Sequence, residues 1–385
     1  MTARLASNAL MLGNLAMGMA VLAPAGMLLD LSHGLGVSVR DAGLLVAWGG
    51  VVLCIASPLV AWACSALDRR RLLAVALAAL TIGQGISAFA PDYATVMAAR
   101  LVMLALAAIF TPVAAATIAQ LVEERLRARS ISYVFLGWSL ALAAGLPVIT
   151  WLSAEFGWRA AFAMLACASA VCFVLLIFAL PRGIAGTPMP LASWGEILKN
   201  PRVLLLLVVT LLWTTGMYTI FPYLAPLVAD LAGGGTQATA LLFATVGIMG
   251  VAGNLIASRI VVRFGAYRTT LLAGFSMLLG TVAWASAPHL LWVMMAGAVC
   301  WGLGVTATNS MIQARLVAAA PAQASAAVAL NTSWLYVGQA LGSWIGGEMI
   351  VQDAALFLGS VAAVLMGAAF FAMIVSRDSK SERGA

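Results

Sequence analysis

Long apolar runs alternate with short polar breaks along the whole chain. The runs fall near 8–30, 41–63, 72–90, 94–118, 130–152, 160–180, 203–226, 238–260, 269–287, 290–313, 325–348 and 354–375. Each is close to the roughly 20 residues that an α-helix needs to cross a hydrocarbon core of about 30 Å. The runs are continuous, whereas barrel strands would alternate apolar and polar residues over short segments. In lipid every backbone N–H and C=O must be satisfied within the protein, which leaves helices for runs of this kind. The pattern therefore predicts an all-α membrane protein with twelve transmembrane helices. The breaks are residues that lipid excludes or that interrupt a helix: Asp68-Arg69-Arg70-Arg71, Pro91-Asp92, Glu123 to Arg129, and Gly233-Gly234-Gly235.

Composition agrees with that reading and removes others. Of 385 residues, 64% are hydrophobic and 9% charged, with a mean hydropathy of +1.06, so no soluble globule could bury the chain. The first run is too long for a signal-peptide core and leads directly into the second, so it is expected to be a retained helix. The net charge of +7 is not a nucleic-acid footprint, because the basic residues sit in short clusters between apolar runs. Their distribution sets an orientation instead. With the N-terminus inside, 17 of the 20 Lys and Arg fall in cytoplasmic segments, Arg40 and Arg159 in outer loops, and Arg100 within a span. Both termini are thus expected on the cytoplasmic side of a bacterial-type inner membrane.

Cys54, Cys64, Cys167, Cys172 and Cys300 lie in or beside apolar runs without metal-ligand spacing and read as small buried hydrophobes. No metal or cofactor is expected. There is no GxxxxGK[ST] loop for ATP, and no Ser/His/Asp set, HExxH or paired intramembrane carboxylates of an enzyme.

The chain also divides. Pro181 to Pro201 is the longest polar stretch, carries four prolines and follows the sixth span. It predicts a cytoplasmic connector between residues 1–180 and 202–385, each a six-helix half. The halves match at a fixed offset: Arg71 and Arg268, Pro91 and Pro288, Thr111 and Thr308, Gly145 and Gly342 are each 197 apart, as 268 − 71 = 197 shows. A shared offset at equivalent places in each unit argues for a parallel duplication, as in transporters whose halves move about a central site.

At these residues the chain resembles the major facilitator superfamily, and within it the twelve-span drug:proton antiporters that include arabinose-efflux and purine-efflux permeases. The resemblance rests on Leu35-Gly36-Val37-Ser38 with Ala42-Gly43, Pro58-Leu59 with Arg69-Arg70-Arg71, Gly137-Trp138-Ser139 with Gly145-Leu146-Pro147, Gly157-Trp158-Arg159, and Tyr223-Leu224-Ala225-Pro226. In the second half Gly250 with Gly253-Asn254, Arg263-Phe264-Gly265 and Gly342 with Gly346-Gly347 extend it. It implies a two-bundle fold, and efflux of a drug, sugar or nucleoside-like compound in exchange for protons. The chain departs from the pattern in the loop between spans two and three. Ser65 and Ala66 stand where the family has Asp and Arg, leaving Asp68 with the basic triplet, and Val262 replaces the acid in the second copy. The span-five antiporter pattern is reduced to Ala141, Gly145 and Pro147.

Arg100 is the sharpest single residue. It sits about seven residues into span four, roughly 10 Å deep at 1.5 Å per residue. A guanidinium there costs at least about 2.5–3.5 kcal/mol unless it snorkels or is paired. The resemblance matches it to the family's span-four arginine, implicated in proton or substrate handling. Asp30, at the outer end of span one, is the expected acidic partner. Glu348, at the outer end of span eleven, reads either as a proton carrier or as an interfacial anchor. In the fold that the resemblance implies, spans one, four, seven and ten line a central cavity. Asn14, Thr111, Thr117, Thr215, Tyr218, Thr219, Tyr223, Thr308 and Asn309 lie on those spans, and Asn331 on span eleven. Amides and hydroxyls suit a small neutral or weakly polar organic substrate, although such groups also pack membrane helices. The expectation is a monomeric secondary transporter with a small molecule, lipid and protons as partners. A passive facilitator or uptake permease, and a non-transporting sensor or assembly subunit, stay open.

Overall fold

The computed structural model describes residues 3–64, 67–123, 126–184, 197 and 199–377. Ser65, Ala66, Glu124, Arg125 and most of the connector expected at 181–201 lie outside them.

Several helices begin where a side chain satisfies the backbone N–H groups that a first turn leaves open. Ser38 accepts from the Asp41 N–H (3.0 Å) and donates back to the Asp41 carboxylate (2.7 Å). Asp68 accepts from the Arg71 N–H, Asp92 from the Thr95 N–H, and Asn200 from the N–H groups of Arg202 and Val203. Pro201, at the first helical position after Asn200, has no N–H to leave unsatisfied.

In the first unit, Met1–Pro190, α1 (Ala3–Gly26) is followed by a short α2 (Leu28–Leu35). The second and third spans are α3 (Val39–Ala63) and α4 (Arg69–Ala88). α5 (Tyr93–Ala107) and α6 (Phe110–Leu121) make the fourth span. α7 (Arg127–Leu140), a π-helical turn at Ala141–Gly145 and α8 (Leu146–Phe156) make the fifth, and α9 (Trp158–Ala179) is the sixth. The π-turn sits where Pro147 cannot donate to the carbonyl four residues back; widening the turn relieves that clash.

In the second unit, Leu191–Ala385, α10 (Pro201–Ile220) passes through a 3₁₀ turn (Phe221–Tyr223) into α11 (Leu224–Asp230). α12 (Thr236–Ser286) is followed by α13 (Leu291–Ala319), α14 (Ala324–Val351) and α15 (Leu358–Val375). α12 has 51 residues, enough to cross a bilayer twice, and Gly265 divides it with φ 75°, ψ 165°. That backbone conformation is open to glycine and strained for other residues. α14, with 28 residues, is long enough to span but carries Asn331, Gln339, Ser343 and Glu348. The described residues thus form twelve helical crossings, as the hydropathy predicts. One boundary differs: the first run reads as unbroken to Asp30, but the helix stops at Gly26. Met27 (φ −131°, ψ 32°) is not helical, so Asp30 lies on α2.

Hydrogen bonds repeat at the offset seen in the sequence. The Arg70 guanidinium donates to the Ile177 carbonyl (2.7 Å), and the Tyr267 hydroxyl donates to the Ile374 carbonyl (2.9 Å). Both partners move by 197, since 267 − 70 = 374 − 177 = 197. In each unit the first turn of the third span therefore holds a carbonyl near the end of the last helix at the same place.

Candidate substrate and coupling site

Within the first unit, the amide of Asn14 on α1 ties three helices together. Its nitrogen donates to the Val134 carbonyl of α7 (3.0 Å), and its oxygen accepts from the Thr111 hydroxyl of α6 (2.8 Å). Thr111 accepts in turn from the Trp138 indole N–H (3.2 Å). The second unit carries a corresponding set. The Thr210 hydroxyl of α10 donates to Asn331 of α14 (2.6 Å), and the Asn331 nitrogen donates to Asn309 of α13 (3.3 Å). In both units the first, fourth and fifth helices meet at a buried amide, which lies on the first helix in one and on the fifth in the other. Sequence reasoning found Asn14, Thr111, Asn309 and Asn331 but not their partners Trp138 and Thr210. Nothing in an apolar helix announces which of its faces meets a neighbour.

The Thr215, Thr219 and Tyr223 face is packed rather than open. Thr215 and Thr219 donate to the carbonyls of Leu211 and Thr215 on their own helix, and Tyr223 donates to the Ser343 carbonyl. α14 lies close against α10 because Gly342 and Gly346 have no side chains. A Cβ at Gly342 would stand 2.3 Å from the Thr215 carbonyl oxygen, and one at Gly346 2.6 Å from the Tyr223 ring. Thr117 likewise donates to Val113 on its own helix. The Thr308 hydroxyl is buried with no hydrogen-bond partner. Tyr218 and Tyr336, the latter a residue the sequence reading did not single out, are 6% and 7% exposed.

Arg100 does not snorkel; it is 1% exposed. Its Nε donates to the Leu45 carbonyl (2.7 Å), Nη1 to Ala20 (2.9 Å) and Nη2 to Val21 (2.7 Å). These carbonyls belong to α3 and α1, and Gly49 leaves room for the guanidinium, which a Cβ there would approach to 3.3 Å. The expected pairing with Asp30 is corrected: the half-buried Asp30 carboxylate accepts from the Ser153 hydroxyl of α8 at 2.6 Å. The break at Met27 puts Asp30 on a separate helix beside α8. Glu348 is half-buried near the end of α14.

The loop residues do more than cap. The Asp68 carboxylate also accepts from the Gly183 N–H (2.7 Å), and the Arg69 N–H donates to the Ile184 carbonyl (3.1 Å), which fixes the chain just after α9. Desolvation, the largest single influence, pushes the Asp68 carboxyl upward. The N–H donors of Arg71 and Gly183 and the Arg71 charge outweigh it and hold the group below its usual range. Arg71 itself is exposed. In the second unit Arg263 lies over the Phe264 ring, 5.6 Å from its centroid, beside the turn at Gly265. The Gly157-Trp158-Arg159 stretch is structural. Gly157 turns at φ 84°, Trp158 fills the space beside Gly34, and Arg159 donates to the Ala90 carbonyl (3.0 Å). All five cysteines are free, and the described residues hold no cluster of three or more metal-ligand side chains.

The family model of the major facilitator superfamily matches residues 10–343. The chain belongs to that superfamily. It is 28% identical to the inner membrane transport protein YdhP of Escherichia coli, over 97% of this chain and 96% of the relative. It is 29% identical to a chloramphenicol efflux pump of Mycobacterium tuberculosis, over 92% of this chain and 87% of the pump. A probable sugar efflux transporter of Mannheimia succiniciproducens is 24% identical, over 89% of this chain and 86% of that protein. Among solved structures, the nucleoside transporter NupG superposes with a TM-score of 0.78 at 12% identity, over 98% of this chain and 100% of NupG. A D-xylose–proton symporter superposes at 0.76 and 17% identity, over 95% and 96% of the two chains. The superfamily member described here is thus a membrane transporter built on that fold.

Proposed function

We propose that this transporter exports a small neutral or weakly polar organic compound in exchange for protons, by alternating access. In this reading both termini are cytoplasmic, the two six-helix halves are joined by the 181–201 segment, and Asp30 is the proton acceptor. The relatives named for efflux of chloramphenicol and sugar support the direction and the substrate class. The observation that carries the coupling is the Asp30–Ser153 bond. Asp68 and Asp92 accept from backbone N–H groups, which favour the ionised carboxylate. A hydroxyl can donate to a carboxylate and accept from a carboxylic acid, so Asp30 can take a proton and keep its bond to Ser153. The substrate would meet neutral groups, with Tyr218, Tyr336 and the Thr308 hydroxyl the candidates whose polar atoms no backbone carbonyl holds.

The test is counterflow in proteoliposomes with chloramphenicol, sugars and nucleosides as probes, with and without a pH gradient. Exchange of at least one probe, accelerated by the gradient, supports the reading. Exchange insensitive to pH would make the protein a facilitator, and no exchange across the panel would favour the sensor.

A further inference from the structure

Pro24 has no N–H, so the carbonyl four residues before it, that of Ala20, lacks its helical donor. Arg100 Nη1 donates to that carbonyl at 2.9 Å, and Nη2 holds the next one, Val21, at 2.7 Å. The third bond, from Nε to Leu45, anchors the same guanidinium to α3. A fully buried arginine with three donors on carbonyls of two helices is a bracket across the proline turn of α1. Three residues beyond Pro24 the helix breaks at Met27, and α2 carries Asp30 to Ser153.

The second unit supplies a comparison within the chain. Pro222 lies one residue from the position equivalent to Pro24, since 24 + 197 = 221, and the residue equivalent to Arg100 is Gly297, since 100 + 197 = 297. There the helix does not continue through the proline but tightens into the 3₁₀ turn Phe221–Tyr223. With the bracket, α1 stays α-helical through Pro24 to Gly26; without it, the equivalent helix changes type.

We infer that Arg100 is a positioning residue. It supplies the hydrogen bond that Pro24 cannot, fixes the last turns of α1, and so sets the angle of α2 and the place of Asp30. The consequence for coupling rests on the reading of Asp30 as proton acceptor; the bracket itself does not.

The experiment is a cycle of Arg100→Met, Pro24→Ala and the double variant, with Arg100→Lys alongside, in full-length protein with the five native cysteines replaced. Spin labels at His33→Cys on α2 and Ala94→Cys on α5, both exposed, report the α2 angle without any substrate. A kink change of about 20° over a helix about 12 Å long moves its tip by about 4 Å. Arg100→Met is expected to shift or broaden the label distance by about that amount. Adding Pro24→Ala, which restores the missing N–H, returns it to within about 1 Å of the parent. Arg100→Lys does not restore it, because one ammonium on a shorter stem cannot reach all three carbonyls. Chloramphenicol counterflow should follow the same order in turnover, with KM unchanged. If Arg100→Met is poorly folded, recovery of yield and thermal stability in the double variant reads the same rescue. An unchanged distance in Arg100→Met, full restoration by lysine, or no rescue by Pro24→Ala in either distance or yield would overturn the inference. Rescue of the distance while Asp30→Asn leaves coupling intact would sustain the bracket and reject only the proton-acceptor reading.

Discussion

Gly145 and Gly342 occupy equivalent places in the two units, 197 residues apart, yet replacing each with alanine should have different consequences. A Cβ at Gly342 would stand 2.3 Å from the Thr215 carbonyl oxygen and 2.9 Å from the Thr219 nitrogen. Both are backbone atoms of a packed helix. Ordinary contact requires about 3.5 Å, so α14 and α10 must part by about 1 Å. The three atoms nearest a Cβ at Gly145 all belong to the Met19 side chain, with Cγ at 2.7 Å and Sδ at 3.2 Å. Methionine can turn about its side-chain bonds and give way. Overpacking against an unyielding neighbour costs about 1–3 kcal/mol, while exchanging glycine for alanine in a helix returns up to about 1 kcal/mol. Gly342→Ala should therefore lose about 1–2 kcal/mol and Gly145→Ala should be near neutral. At roughly 2 °C per kcal/mol for a chain of this size, melting of the detergent-purified protein should fall by about 2–4 °C for Gly342→Ala. It should stay within about 1 °C for Gly145→Ala. Equal losses, or a larger one at Gly145, would refute the argument from backbone contact.

Other outcomes follow from the same geometry. Asn14→Leu and Asn331→Leu each remove two interhelical hydrogen bonds. At about 0.6 kcal/mol per bond in membranes, with a maximum near 1.7, each should lower stability by about 1–3 kcal/mol, read by thermal unfolding, and Ala substitution should lose more through the cavity it adds. The clamp of Asp68 on Gly183 should be intact across pH 5–8. The folded carboxyl lies below its ordinary value, so its contribution is fully present above about pH 4 and is lost only as pH falls through the lowered value. Asp68→Ala should therefore abolish protection of the Gly183 amide from hydrogen exchange at pH 7, while moving the wild-type protein from pH 8 to pH 5 should leave it protected once intrinsic exchange rates are corrected.

What the sequence made legible was what lipid imposes. Span lengths, the breaks at Asp68 and Asp92, and the 197-residue repeat are visible because a bilayer fixes helix length and excludes charge. Arg100 was conspicuous for the same reason, as a charge in an apolar run. Its partners were not, because backbone carbonyls have no sequence signature and Ala20 differs from its neighbours only through Pro24. The Asp30–Ser153 bond joins residues 123 apart, and the polar residues of the helices that carry Tyr336 and Thr210 are spread over much of the circumference. Without a polar stripe, a helix does not reveal its rotation about its own axis. The Thr215, Thr219 and Tyr223 face, read as cavity lining from its spacing, is covered because Gly342 and Gly346 let α14 approach. A glycine stripe on one helix says little about which neighbour it receives.

The central claim is that Asp30 couples protons to export. Its most direct measurement compares the parent protein with Asp30→Asn in proteoliposomes, for a probe that the parent exchanges. The substitution should keep counterflow at zero gradient and eliminate accumulation driven by a pH gradient, with Glu348→Gln retaining both. Gradient-driven accumulation that survives in Asp30→Asn, or that disappears only in Glu348→Gln, would contradict the account.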